Sequence, residues 1–295
     1  MNPSRVQKIV VAPLLVLLLG GCGGPEFDQE SAFGFLEAQC AFGPRPPGSG
    51  AHGRTAEWLV ETLSHSADEV AVQRFTVPTD TGQVRLTNVI ASFRPDERER
   101  VLLGAHWDTR AVAERDPEPG NRGLPIPGAN DGASGVAVLL ELARLMGERA
   151  PRVGVDIVLF DGEDGGNDGG LVDWCLGSTY YASTMGAYCP RYAVIVDMVG
   201  DADLSIPREP NSVDACSDIV DIVWRAAERV GSDAFLPGLG KAMYDDHVPL
   251  IRAGVPTALV IDASYAYWHT LDDTPARCSP ASLGQVGRVL VELVY

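Results

Sequence analysis

The sequence predicts a single α/β domain with a mixed, mostly parallel central sheet flanked by helices. Three observations support this fold class. Short apolar segments alternate with segments of helical periodicity, 45% of the 295 residues are hydrophobic, and neither an internal repeat nor a second domain boundary interrupts the pattern. A chain of this length and apolar content can bury a sizeable core, so we expect one folded domain over residues 31–295.

The N-terminus differs from the rest of the chain. Two basic residues, Arg5 and Lys8, precede an apolar run at residues 9–19. This run is shorter than the ~20 residues that span a bilayer, but it has the length of the apolar region of a secretory signal. Because Gly20 and Gly21 precede Cys22, residues 1–21 resemble a bacterial lipoprotein signal peptide. An ordinary signal peptide with a chance cysteine is the alternative.

The lipoprotein interpretation predicts where the chain resides. Lipidation of Cys22 would hold an exported protein at a membrane through its anchor alone, on the periplasmic or cell-surface face, with residues 22–30 as a polar tether. The formal net charge of −17 disfavours nucleic acid as a partner, because no basic stripe is available to neutralise phosphates.

Five cysteines remain when Cys22 is set aside, and none shows the Cys-x-x-Cys spacing of a thiolate zinc site. They are Cys40, Cys175, Cys189, Cys216 and Cys278. Export to an oxidising compartment makes disulfides plausible, and an odd count leaves one thiol over. The sequence does not give the connectivity; the pair that we favour is Cys40 with Cys278, since both lie near the ends of the domain.

The strands are predicted from two patterns. Alternation of apolar and polar residues indicates a half-buried strand at residues 70–77, whereas continuous apolar runs indicate buried strands of a parallel sheet. The further expected strands cover residues 86–93, 101–105, 153–160, 193–199 and 257–261.

The helices are predicted from spacing and start signals. Trp58, Leu59 and Leu63 share one side of a helix over residues 52–66, and residues 132–146 form a strongly amphipathic helix. Ser279-Pro280 starts a final helix, and residues 31–40 begin the first one. The Pro- and Gly-rich residues 110–130 are predicted to form a long loop.

Histidines and carboxylates follow the buried strands. Open α/β sheets bind ligands at the carboxyl ends of their strands, so these residues are expected to converge in one crevice although they are distant in sequence. They are His106 and Asp108, Glu163 and Asp164, Asp197 and His269, with Asp131 at the mouth of the amphipathic helix. Such a set suits a hydrolytic zinc site. Taken singly, Asp131 is equally a helix cap and Glu163-Asp164 a solvated pair.

The joint pattern resembles the zinc aminopeptidase family and the related glutaminyl-peptide cyclotransferases, from about residue 40 to the C-terminus. The shared motifs are His106-x-Asp108, Gly-Ala-x-Asp131-x-x-Ser-Gly, Asp-Gly-Glu163-Asp164, Asp197 on a strand and the late His269.

The resemblance implies a role for each of these positions. Asp131, Asp164 and His269 would bind zinc, and Glu163 would act as the general acid and base without binding metal. In a two-zinc enzyme His106 and Asp197 would hold the second ion, with Asp131 bridging. Asp108 would orient His106 through its ring N–H.

Two segments resemble the cyclotransferase branch in particular. They are Trp268-His269-Thr-Leu-Asp272-Asp273 and Asp245-Asp246-His247-Val-Pro249; the opening segment Gly43-Pro-Arg-Pro-Pro-Gly-Ser49 also resembles the family's. The resemblance implies a hydrogen-bonded acid pair of Asp245 and Asp197 near the substrate, and Trp268 as a wall of the substrate pocket. Trp107 is a second candidate for that wall.

Two departures from the branch are visible. Animal cyclotransferases carry a Trp soon after the acidic pair, where this chain has Gly165 to Gly170; Trp174 is the candidate replacement. The acidic pair itself is Glu-Asp, which shortens the ligand arm by one methylene.

The expected function is conversion of the N-terminal glutamine of peptides or proteins to pyroglutamate with one zinc ion. A zinc aminopeptidase with two ions is the alternative, and a non-catalytic binding lipoprotein is a third possibility. The third class is disfavoured because Glu163 and every expected ligand position are present.

Overall fold

The computed structural model describes residues 24–79, 82–166 and 172–295. The predicted signal peptide (residues 1–21) and the predicted lipidation site, Cys22, therefore lie outside the described residues. Within them the tether is shorter than expected, because Phe27 is buried in the core and the first helix already begins at Gln29. No helix in the described ranges is both long and apolar enough to cross a membrane.

The strands form one large central sheet and one small sheet. Described in chain order, they are β1 (Glu69–Thr79), β2 (Gly82–Phe93), β3 (Arg100–His106), β4 (Gly154–Phe160), β5 (Tyr192–Asp197), β6 (Ile206–Arg208), β7 (Phe235–Leu239) and β8 (Thr257–Ile261). The central sheet has the order β1-β2-β4-β3-β5-β8, and β6 pairs with β7. Strands β4, β3, β5 and β8 are parallel, whereas β2 is antiparallel to both β1 and β4. The predicted mixed, mostly parallel sheet is confirmed.

Helices cover both faces of this sheet, as predicted. They are α1 (Gln29–Ala41), α2 (Gly50–Ser64), α3 (Ala133–Glu148), α4 (Leu176–Thr184), α5 (Pro210–Val230), α6 (His247–Arg252) and α7 (Pro280–Val294), with short 3-10 helices at Pro119–Asn121 and Pro275–Arg277. The larger core lies between the sheet and α1, α2, α3, α5 and α7. A smaller core lies on the opposite face, where α4 and α6 pack.

The most regular elements are those whose sequence is most uniformly apolar. Every residue of β3 and β4 is buried, as expected for strands covered on both faces. The final helix starts as predicted, since the Ser279 hydroxyl accepts the backbone N–H of Ala281 and Pro280 occupies the first turn.

Five elements were not predicted: α4, α5, α6, β6 and β7. Helix α5 is polar over much of its length and is interrupted at Cys216, where the backbone is not helical. Strand β5 ends at Asp197 and not at residue 199, because Met198 adopts φ = 46° and turns the chain.

The favoured disulfide was wrong. Cys40, Cys175, Cys189, Cys216 and Cys278 are all free thiols in the structure. Burial raises the pKa of both Cys40, to about 11, and Cys278. Protonated, buried thiols of this kind behave as small apolar side chains.

Candidate metal centre and active site

The candidate site lies at the carboxyl ends of the parallel strands. His106 is the last residue of β3 and Asp197 the last of β5. Glu163 and Asp164 follow β4, while His269 lies in the segment after β8. All five side chains are buried. The predicted convergence is confirmed, because parallel strands end at one edge of the sheet.

The side chains form two groups of three that share one carboxylate. Asp131, Asp164 and His269 make one group, and His106, Asp131 and Asp197 make the other; within each group the donor atoms lie within 4.8 Å of one another. In the first, His269 Nε2 lies 3.4 Å from Asp164 Oδ1 and 3.7 Å from Asp131 Oδ2. In the second, His106 Nε2 lies 3.1 Å from both Asp131 Oδ1 and Asp197 Oδ1. Asp131 therefore bridges the two groups.

Asp131 is held in place by its backbone and not by helix capping. Its side chain does not cap α3, whose start has no side-chain cap. Instead, the backbone N–H groups of Asn130 and Asp131 donate to the Asp273 carboxylate at 2.8 and 3.2 Å. The neighbouring Gly132 is required here, since a Cβ would lie 2.5 Å from the His106 ring. The Asp131 carboxylate therefore faces the two histidines and does not serve as a helix cap.

The His269 ring is oriented by Glu114, a residue that the sequence analysis missed. His269 Nδ1–H donates to Glu114 Oε1 at 2.6 Å, which leaves Nε2 facing Asp164 and Asp131. Burial lowers the pKa of His269, but the charge of Asp164 and the hydrogen bonds outweigh it and raise the pKa to about 9. The Trp174 ring lies nearly parallel to that of His269, with the ring centres 6.4 Å apart. This position suits the candidate replacement for the Trp that animal cyclotransferases carry after the acidic pair.

Arg110 connects the same carboxylates and was also missed. Its Nε donates to Glu114 Oε1 at 2.7 Å, and Nη1 donates to Asp164 Oδ1 at 3.2 Å. The guanidinium lies 4.7 Å from the Trp174 ring centre. Arg110 and Glu114 both come from the long loop between β3 and α3, whose irregular sequence carries no periodic signal.

The first group fits a zinc ion in the type of its donor atoms and in having one buried carboxylate oxygen without a hydrogen-bond partner. Two carboxylates and an imidazole are ligands that zinc takes in proteins. Asp164 Oδ2 is buried and has no hydrogen-bond partner. Burial and the charge of Asp131 raise the pKa of Asp164 although His269 and Arg110 act against this, so a cation between the two carboxylates would relieve the remaining repulsion. With its Nδ1–H bonded to Glu114, His269 directs Nε2 at the two carboxylates, as a metal-binding histidine would.

The Asp108 carboxylate accepts hydrogen bonds from the segment after β4 and none from His106. Its two oxygens accept the backbone N–H groups of Glu163 and Asp164 at 3.1 and 3.3 Å. Its distance to His106 Nδ1 is 3.5 Å, and that nitrogen has no hydrogen-bond partner. The predicted hydrogen bond between Asp108 and His106 is therefore not formed, although the two side chains are adjacent.

Glu163 is buried among charged side chains, most of them acidic. Burial raises its pKa well above the usual range, and the charges of Asp245, Asp164 and Asp246 add to this effect. The Cys175 thiol donates to Glu163 Oε1 at 3.4 Å. A carboxyl group with a raised pKa is suited to accept a proton and to return it in the same reaction.

Asp245 is buried, and its charge interacts with those of Glu163 and Asp197. Burial and the charge of Asp197 raise its pKa to about 7. The two carboxyl groups interact through their charges, but no hydrogen bond joins Asp245 to Asp197, so that part of the expectation is not confirmed. Next to them, Asp246 is fully buried with neither oxygen hydrogen-bonded, and burial raises its pKa well above the usual range.

The two predicted pocket tryptophans differ. Trp268 is half-buried, and its ring centre lies 4.4 Å from that of His269, where it can contact a bound ligand. Trp107 is 0% exposed, stacks on His52 at 4.4 Å and donates its indole N–H to Thr87. The pocket role predicted for Trp107 is wrong, because adjacent residues of an extended chain point to opposite faces and His106 takes the site face.

Known proteins share this sequence and fold. The model of peptidase family M28 matches residues 88–294. A glutaminyl-peptide cyclotransferase-like protein from Mus musculus is 27% identical over 277 residues, which cover 83% of this chain and 70% of that protein.

Two solved structures are more similar still. A Bacteroides thetaiotaomicron glutaminyl cyclase is 34% identical with a TM-score of 0.90, covering 92% of this chain and 99% of its own. A leucine aminopeptidase precursor from the same species is 34% identical with a TM-score of 0.89, covering 92% of this chain and 98% of its own.

Proposed function

The chain belongs to peptidase family M28, and on that premise we propose that it is a zinc-dependent glutaminyl-peptide cyclotransferase. The reaction converts the N-terminal glutamine of a peptide to pyroglutamate and releases ammonia. The observation that carries this proposal is Asp245, a buried carboxyl group whose charge acts on the candidate acid-base Glu163.

The proposed zinc site is the group of Asp131, Asp164 and His269, and one ion suffices for the reaction. When bound there, zinc supplies Lewis-acid polarisation of the carbonyl group that is attacked. Arg110 and Glu114 fix the directions of Asp164 and His269 through the hydrogen bonds described above.

Glu163 carries the proton. The substrate's α-amine nitrogen attacks the γ-carbonyl carbon of its own glutamine side chain, and Glu163 accepts the proton that the attacking nitrogen loses. Glu163 then returns this proton to the amide nitrogen, the carbon–nitrogen bond breaks, and ammonia leaves. The atoms balance without water, so the reaction is an intramolecular transfer and not a hydrolysis.

Asp245 and Asp197 would stabilise the charge that develops during this step. Asp245 has a pKa of about 7, so at lower pH its carboxyl group is protonated and can donate a hydrogen bond to the reacting group. Cys175 steadies Glu163 from behind through its S–H, and Trp268 would pack against the substrate side chain.

The variant Glu163→Gln tests this proposal directly. We expect it to release no ammonia from a Gln-initiated peptide while still binding zinc, since Glu163 is not a ligand. The matched control is Glu118→Gln, an exposed carboxylate of the β3–α3 loop, which should keep full activity. Undiminished ammonia release by Glu163→Gln would contradict the assigned role.

A zinc aminopeptidase is the second candidate, favoured by one specific observation. Both groups of three are formed, with Asp131 shared between them, which is the arrangement that two ions would need. In that case Glu163 would take a proton from an attacking water, and a free amino acid would be released. The products therefore distinguish the two functions.

We further propose that the protein is an exported bacterial lipoprotein, anchored at Cys22 and facing the periplasm or the cell surface. The basic residues, the short apolar run and the Gly20-Gly21-Cys22 sequence support it. Mass spectrometry of the mature N-terminus tests it: a lipid-modified Cys22 as the first residue is expected, and an unmodified N-terminus elsewhere would contradict it.

A further inference from the structure

Two cations flank Trp268 at the edge of the site. Arg115 Cζ lies 4.1 Å from the centre of the Trp268 ring, and Lys241 Nζ lies 5.2 Å from it. Both cationic side chains are exposed. Because the Trp268 ring contacts that of His269, one aromatic ring separates the two cations from a proposed zinc ligand.

Both cations belong to chain segments that also contribute to the site. The Arg115 N–H donates to the His269 carbonyl at 3.2 Å, and the residue before it, Glu114, accepts from the His269 ring. Lys241 lies in the segment that leads from β7 to Asp245. The two charges are therefore carried by the same segments that build the catalytic centre.

Neither cation has an acidic partner in the part of the chain that the structure describes. No carboxylate oxygen there lies within 4.0 Å of the charged groups of Arg115 or Lys241. Other arginines nearby are paired, as Arg110 is with Glu114 and Arg277 with Asp272. In a chain with 40 acidic and 23 basic residues, two cations without a partner at one aromatic ring need an explanation.

The charge of the site gives a reason for them. Buried carboxyl groups dominate the centre, so a substrate that carries a carboxylate is repelled as it approaches. Cations at the rim offset this repulsion and attract the carboxylate. Trp268 holds both cations near its face, since a ring face attracts a cation.

We propose that Arg115 and Lys241 form a carboxylate-binding subsite for the part of the peptide that follows the N-terminal glutamine. The proposal rests on the cyclotransferase function proposed above. An extended peptide advances about 3.5 Å per residue, so a carboxylate on the second or third residue reaches this ring. The carboxylate is either an acidic side chain or the C-terminus of a very short peptide.

Peptide series separate these two sources. With the purified full chain and zinc, kcat/KM is compared for Gln-Glu-Ala, Gln-Gln-Ala and Gln-Lys-Ala, all amidated at the C-terminus. We expect the Glu peptide to be preferred over the neutral one by about five-fold, as for two exposed charge contacts, and the preference to shrink as salt rises. A second comparison, Gln-Ala against its amide, measures the contribution of a C-terminal carboxylate. A preference in either series supports the subsite and identifies the source.

Variants connect the preference to the two residues. Arg115→Gln and Lys241→Gln should each reduce the preference, and the double variant should bring the ratio close to one. The matched control is Arg277→Gln, whose guanidinium lies 4.1 Å from the Tyr267 ring centre but is already paired with Asp272; it should keep the wild-type ratio.

Two results would overturn the subsite while leaving the cyclotransferase function intact. One is equal kcat/KM for acidic and neutral peptides in both series, and the other is a preference that survives in the double variant. Ammonia release from no Gln peptide at all would overturn the proposed function, and the subsite with it.

Discussion

Glu114 Oε1 accepts the Nδ1–H of His269 at 2.6 Å and so fixes the ring of a proposed zinc ligand from behind. Burial raises the pKa of Glu114, but hydrogen bonds from His269 and Arg110 outweigh it and lower the pKa to about 2. The carboxylate thus stays charged across the whole working range. A charged acceptor on Nδ1–H makes Nε2 the better donor to a metal.

Removing that charge should weaken zinc binding. We expect Glu114→Gln to lower zinc affinity by about 10–100-fold, as for other residues that orient metal-bound histidines. Competition with a chelator of known affinity measures this. Glu118→Gln, in the same loop but exposed, is the control, and equal affinities of the two variants would refute the orienting role.

Asp245 should shape the pH dependence of kcat. Its carboxyl group has a pKa of about 7 and loses its proton as the pH rises past that value. The kcat of the wild type should therefore fall as the pH rises through about 7. Asp245→Asn keeps a hydrogen-bond donor at every pH and should lose this alkaline decline. Asp245→Ala loses the donor and should lower kcat by about 10²–10³-fold. An unchanged decline in Asp245→Asn would assign it to another group.

Glu209 should contribute to stability in a pH-dependent way. It caps α5 through Asn211 and Ser212, accepts the Met243 N–H and lies 3.3 Å from the buried His247. Burial raises its pKa, but these partners outweigh it and lower the pKa to about 2. Because the folded pKa is below the ordinary value of 4.5, the stabilisation is present above pH 4.5 and is lost as the pH falls towards 2.

The variant Glu209→Gln should be less stable by about 1–3 kcal/mol at pH 7. Urea denaturation with a chelator present, so that metal does not contribute, should show this difference shrinking towards pH 3. Glu148→Gln removes an exposed carboxylate of a surface pair with Arg144 and should change little at either pH. A pH-independent difference for Glu209→Gln would show that its charge is not involved.

Zinc should stabilise the folded chain. Binding to the native state alone adds about 2.7 kcal/mol when free zinc exceeds Kd a hundred-fold. Thermal denaturation should show a rise in Tm with zinc that Asp164→Asn largely removes, and metal analysis should find one ion per chain. Two tightly bound ions would favour the aminopeptidase alternative.

The sequence predicted the central sheet and the site better than the rest of the molecule. All six strands of the main sheet were located, because uniformly apolar runs leave few other structures open to the chain. Four of the five expected ligand positions converge because they end or follow strands whose carboxyl ends meet, and the fifth, Asp131, joins them from the start of α3.

The remaining features depend on contacts that local patterns do not encode. Glu114 and Arg110 belong to an irregular loop, and only the folded chain brings them to His269 and Asp164. Trp107 was assigned to the wrong side of β3, although the alternation of side chains after His106 contained the needed signal. Helix α5 was missed because its buried face is narrow and its backbone breaks at Cys216.

The measurement that tests the central claim most directly is the mass of the products from two peptides, one starting with Gln and one with Leu, incubated with the purified chain and zinc. We predict that the Gln peptide alone changes, losing ammonia and keeping all its residues. Release of free glutamine or free leucine would contradict the cyclotransferase function and establish an aminopeptidase.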